Sequence, residues 1–261
     1  MMSVLPDYKL AKHTILHMAH RYFLIISLCG LLAACSADVS EQNNAPYNQS
    51  FPSQTGGTFI DAMPSDPSSL IFMVAGESAS SAITANIFNT LLRYNKDLDL
   101  AGELAESWQV AADQKTITFH LKPGLVWADG RPLTSEDVYF TWQLIIDEKT
   151  RSPYASDFQL VTKAETPDKL TFVVHYDQAF SPALDSWAGL QILPKHKLAG
   201  QDIHTTSFAQ KPLGSHYYQL KEWRHGEYLK LERNPKAVLG QAQISTLIER
   251  IIPDPGAQFL E

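Results

Sequence analysis

Cysteine is nearly absent: the 261 residues hold two, Cys29 and Cys35. Nothing after Cys35 is left for a disulfide, a thiolate metal site or a thiol nucleophile. Basic charge is also short, with 21 Lys and Arg against 28 Asp and Glu for a net charge of −7. No basic run interrupts that balance, which argues against a nucleic-acid partner. After Cys35 there is no apolar run long enough to span a bilayer. His120, His175, His196 and His204 lack the spacing of a zinc site, and no glycine-rich phosphate loop occurs, so no metal or cofactor is expected. No internal repeat is found.

What is present begins with a leader. Lys9, Lys12 and Arg21 precede an apolar run from Tyr22 to Leu32, which is about the length of a secretory signal core. Leu32-Ala33-Ala34-Cys35 then resembles the lipobox of bacterial lipoproteins. That resemblance implies cleavage after residue 34, a lipid on the Cys35 thiol and a lipid-anchored chain outside the cytoplasm. The alternative is an ordinary secretory signal in which Cys35 is incidental. His13, His17 and His20 leave with the signal and form no metal box. The signal carries three cations and one anion, so the mature chain is near −9. Residues 35–55 are polar, with two prolines, and bury too little to offset chain entropy; they read as a flexible tether.

The most strongly patterned stretch is Gly102 to Asp147. Thr116 to Leu121 alternates, with Ile117, Phe119 and Leu121 on one face, as a half-buried strand does. Asp129-Gly130 is a turn dipeptide. Thr134-Ser135-Glu136-Asp137 reads as a helix start, in which the Thr134 hydroxyl caps and the two acids sit at the positive helix end. Val138, Trp142, Ile145 and Ile146 follow at helical spacing. Turn and cap account for Asp129, Glu136 and Asp137 without catalysis. Further strands are expected at Gly56–Ala62, Leu170–Tyr176 and Leu247–Ile252. A helix is expected from Ser80 or Ser81 through Leu92, and a hairpin where Tyr218–Trp223 and Tyr228–Asn234 flank Arg224-His225-Gly226-Glu227.

These pieces also carry a resemblance. LAESW, then TITFHLKPGLVWADGRPLTSEDVYFTW, followed by ILPKH and KPLGSHYY, resembles family 5 of the bacterial extracellular solute-binding proteins, the peptide- and nickel-type binding components of ABC importers. The resemblance implies an α/β, periplasmic-binding-protein-like (type II) architecture. Residues 56–98 would open lobe I, 99–205 would form its inserted subdomain, and 206–261 would continue it, with the second lobe missing. His216 and Tyr217 stand where Gly and Pro are usual in the family. His216 is read as a tolerated surface substitution rather than a ligand residue.

The same resemblance implies a cleft that captures a peptide or other small ligand and hands it to a membrane permease. Three segments are candidates to face that cleft. Gly76, Glu77 and Ser78 form the loop whose backbone pairs with ligand main chain in family peptide binders. Tyr154 lies in a Ser-Pro-Tyr-Ala run. Trp187 and Gly189 lie in a Trp-Ala-Gly run, where Trp187 would supply an amphipathic wall. Core packing is the competing role for Tyr154 and Trp187, and Trp108, Trp127 and Trp142 are assigned to core. Two rival readings stay open. One is a truncated, non-binding remnant of such a protein. The other is a lipoprotein hydrolase resting on Gly76-Glu77-Ser78-Ala79-Ser80, which lacks the last glycine of a nucleophile elbow.

Overall fold

The computed structural model describes residues 55–260. Cys35, the signal and nearly all of the tether lie outside the described residues. In chain order the elements are β1 (Thr58–Met63), α1 (Ser78–Ile87), β2 (Leu92–Tyr94), β3 (Leu100–Gly102), β4 (Ala105–Val110), β5 (Thr116–Leu121), α2 (Ser135–Ile146), β6 (Val161–Asp168), β7 (Thr171–Tyr176), α3 (Ala183–Gly189), α4 (Lys195–Leu198), β8 (Tyr218–Arg224), β9 (Tyr228–Arg233), β10 (Thr246–Ile251) and α5 (Pro255–Leu260).

Two four-stranded sheets organise them. One runs β1-β10-β9-β8, with β1 parallel to β10 and the rest antiparallel. It therefore joins the start of the described chain to its last strands. The other runs β4-β5-β7-β6, all antiparallel and drawn from residues 105–176 alone. A small β2-β3 ladder lies between them in sequence. Alternation on β5 does what its pattern predicts: Ile117, Phe119 and Leu121 are buried while Thr116, Thr118 and His120 are half-buried. Beneath that face, Trp187 packs against Phe119, Phe158 and Phe172, with ring centroids 5.8, 5.1 and 5.1 Å away.

Helix α2 starts where the cap signal sits. Asp137 Oδ2 accepts the Thr134 backbone N–H at 2.9 Å, and Asp137 Oδ1 accepts that of Lys195 at 3.0 Å. One buried carboxylate thus closes the helix start and fixes the chain entering α4. Burial pushes the Asp137 pKa up in spite of these bonds. Val138, Trp142 and Ile145 are buried, whereas Ile146 is 38% exposed and falls off the apolar stripe.

The first helix departs from expectation at both ends. It begins at Ser78, with Glu77 rather than Ser80 or Ser81 in the capping position, and it stops at Ile87 rather than Leu92. Phe88 is already extended, at φ −114° and ψ 143°. The reason is competition for backbone partners. The Ile87 carbonyl accepts from the Ser215 and His216 N–H groups at 3.1 and 3.0 Å, and the Leu91 carbonyl accepts from Glu103 and Ala105. Leu91 is fully buried as its spacing suggests, but in the bend just before β2.

Candidate binding cleft

The loop before α1 and the segment carrying Tyr154 come from residues far apart in sequence, and the fold brings them together. The Tyr154 hydroxyl donates to the Ala75 carbonyl at 3.5 Å, and its ring lies 5.8 Å from that of Phe72. Pro153 Cγ is the nearest heavy atom to where a Gly76 side chain would begin. Within the loop, Glu77 Oε1 accepts the Ser68 N–H at 2.8 Å and the Ser80 hydroxyl. Burial would raise the Glu77 pKa, but the bonds from Ser80 and Ser68 outweigh it and hold the carboxyl below its ordinary value. Gly76 and Ser78 are exposed. Among the described residues no hydrogen bond joins Ser78 to a histidine, the partner a hydrolytic serine needs.

Beside this junction opens a chamber of about 680 Å³. Its walls are mostly apolar and include Phe72, Ile145, Tyr154, Phe158, Phe180 and Leu190. Asp157 and Asp185 are its charged wall residues. A second cavity, of about 350 Å³, adjoins it through the shared wall residues Ala85, Gly189 and Gln191. Arg93, Glu103, His216 and Tyr217 line the second cavity. Both volumes lie in the range of small-ligand sites.

Of the predicted site residues, Tyr154 and Gly189 therefore line the cavities, and Gly76, Glu77 and Ser78 lie next to them without lining either. Trp187 is corrected. It is wholly buried, and its indole N–H donates to the Tyr176 hydroxyl at 2.8 Å, so it has no surface to offer a ligand. Its place is under the wall that Gly189 finishes. Trp127 and Trp142 are buried and Trp108 is partly buried against the core.

His216 is a second correction, since its side chain is only 15% exposed. Its Nε2 lies 3.3 Å from Glu103 Oε1, and its ring lies 4.2 Å from that of Tyr217. Burial lowers the His216 pKa against the pull of the Glu103 carboxylate. Glu103 itself is buried and saturated. Asn89 Nδ2 donates to Oε1 at 2.7 Å, and the Thr90 backbone N–H and hydroxyl donate to Oε2 at 3.1 and 2.5 Å. The Ser215 hydroxyl holds Asn89 from the other side at 2.7 Å.

Sequence reasoning missed Gln191. It is 8% exposed, and its Oε1 has no hydrogen-bond partner. The available signal was a lone amide within the apolar run Leu190-Gln191-Ile192-Leu193. That run is held by Ile192 N–H to the Asn89 carbonyl at 2.8 Å and Leu193 N–H to the Thr141 hydroxyl at 2.9 Å. Among the described residues, no three His, Cys, Asp or Glu side chains gather as a metal site, and no helix is long and apolar enough to cross a membrane.

Comparison with known proteins bears on the family and the fold. Residues 99–261 match the profile described as bacterial extracellular solute-binding proteins, family 5 Middle. The oligopeptide-binding protein AppA of Bacillus subtilis is 28% identical over 242 residues, covering 90% of this chain and 44% of AppA. The solved structure of AppA in complex with a nonapeptide superposes with a TM-score of 0.74 at 25% identity, covering 78% of this chain and 42% of that one. The ABC transporter substrate-binding protein CtaP of Listeria monocytogenes gives a TM-score of 0.74 at 29% identity, covering 79% and 43%. The chain thus spans less than half the length of the relatives it matches, which are named as an oligopeptide-binding protein and an ABC transporter substrate-binding protein.

Proposed function

The chain belongs to family 5 of the bacterial extracellular solute-binding proteins, and from that premise we propose that it is the ligand-capturing component of an ABC importer, lipid-anchored through Cys35. In this reading it takes short peptides outside the cytoplasm and delivers them to a membrane permease. Residues 99–205 act as a subdomain inserted into the first lobe. The observation that carries the reading is the chamber of about 680 Å³ at the meeting of the loop before α1, Tyr154 and Gly189. Apolar walls with a few polar groups suit side chains of varied shape, while the exposed Gly76 and Ser78 offer main-chain hydrogen bonds. AppA, a peptide binder by name, supports the peptide class.

Two measurements test it. Calorimetric titration of the chain with a mixed tripeptide pool is expected to show saturable heat; a flat titration overturns peptide capture. Metabolic labelling with radioactive palmitate is expected to mark the wild-type chain and not Cys35→Ser; equal labelling of both overturns the anchor.

A further inference from the structure

The two cavities differ in charge. The chamber has Asp157 and Asp185 as its charged wall residues and no cation. The second cavity has Glu103, whose oxygens are already engaged by Asn89, Thr90 and His216, and Arg93. Arg93 is exposed, and among the described residues no hydrogen bond or ion pair engages its guanidinium. Strand β2 ties the two halves together: the Tyr94 hydroxyl donates to Asp185 of the chamber wall, while the neighbouring Arg93 lines the second cavity. Gln191 stands in the shared wall with an unpartnered carbonyl oxygen, a costly state for a buried acceptor. A turn of its terminal amide presents that oxygen to a donor in the cleft.

Resting on the peptide-binding reading above, we propose that the cleft takes a short peptide by its carboxyl end. The terminal carboxylate pairs with Arg93 in the second cavity. The side chain of the last residue, bulky and apolar, enters the chamber and packs on its apolar walls. A ligand amide N–H satisfies Gln191 Oε1 at the shared wall. A guanidinium fork matches a carboxylate in shape as well as charge. The two chamber carboxylates repel an acidic side chain and tolerate an apolar one, so the same arrangement selects against peptides ending in Asp or Glu.

The test is calorimetry on the full chain with Ala-Ala-Phe and with its C-terminal amide, which removes the ligand's negative charge and little else. Because Arg93 is partly open to water, amidation is expected to weaken binding to the wild type by roughly five- to tenfold. Arg93→Gln is expected to bind both peptides alike, at about the level of the amide, and Arg93→Lys to restore part of the discrimination. Arg93 is exposed, so the variants' thermal melts should match the wild type. Equal binding of acid and amide by the wild type, or discrimination that survives in Arg93→Gln, overturns this inference and leaves the peptide-binding reading standing. Silence toward both probes and toward the tripeptide pool overturns both.

Discussion

Gly214 lies against the Ile87 carbonyl so closely that a Cβ built on it would fall 1.8 Å from the carbonyl oxygen and 2.6 Å from its carbon. The contact is not incidental. The same carbonyl accepts the N–H groups of Ser215 and His216, so the chain after Gly214 closes the open end of α1. Ala128 N–H in turn donates to the Gly214 carbonyl at 3.0 Å, joining the Asp129-Gly130 turn to this point. Neither partner can retreat without breaking bonds. Gly214→Ala is expected to cost about 2–4 kcal/mol, read as a lower denaturation midpoint in urea. Gly189→Ala is the control, because a Cβ there meets nothing within 4 Å and should leave the midpoint unchanged.

Trp187 separates a core role from a ligand role. Its ring touches three buried phenylalanines, and its N–H is spent on Tyr176. Trp187→Ala should therefore cost about 3–5 kcal/mol, as truncation of a buried aromatic does. Trp187→Phe retains much of the packing but strips the Tyr176 hydroxyl of its donor, at about 1–3 kcal/mol. Denaturation curves measure both. A Trp187→Phe protein with wild-type stability but altered peptide affinity would contradict the core assignment.

The contrast between Trp187 and Gln191 shows what the sequence could and could not convey. Local pattern was enough for β5, the Asp129-Gly130 turn and the α2 cap, because each depends on neighbours within a few residues. The end of α1 was not legible, since what stops it is a carbonyl captured by Ser215 and His216, more than a hundred residues away in the chain. The choice between the two roles of Trp187 was not legible for a similar reason: an indole in a short helix reads the same whether β5 and β7 lie under it or a ligand lies over it. His216 looked like a surface substitution because nothing nearby in sequence announces Glu103 as its partner. Tyr154 and Gly189 came from resemblance rather than from pattern, and the fold places both at the chamber.

Tyr176 gives a prediction at high pH. Burial pushes its phenol pKa up to about 12, in spite of the hydrogen bond from Trp187, from an ordinary value of 10.0. A group whose pKa is higher in the folded chain holds its proton more tightly there. Its full contribution is therefore present below pH 10 and is lost as the pH rises through about 12. Stability should fall across that window by up to about 2–3 kcal/mol from this group alone. Tyr176→Phe cannot ionise, so its urea midpoint should decline less steeply over the same range. Parallel declines in the two proteins would contradict the assignment.

Glu77 gives the opposite sign at low pH. Its carboxylate accepts from Ser68 and Ser80 and sits at the N-terminal end of α1, where negative charge is favoured. With its pKa held below the ordinary 4.5 in the folded chain, its contribution is present above that value and is lost as the pH falls through the folded pKa. Glu77→Gln keeps the oxygen that accepts both bonds but carries no charge, and should cost about 1 kcal/mol at pH 7. As the pH falls through the folded pKa the variant and the wild type should converge, because the wild-type carboxyl is then protonated as well. The loop before α1 holds both this carboxylate and the exposed backbone of Gly76 and Ser78. Amide hydrogen exchange on residues 76–80 should therefore speed up in Glu77→Ala at pH 7, with the β5–β7 pair unaffected. Acceleration spread evenly over both sheets would mean that Glu77 supports the whole fold rather than the loop that borders the chamber.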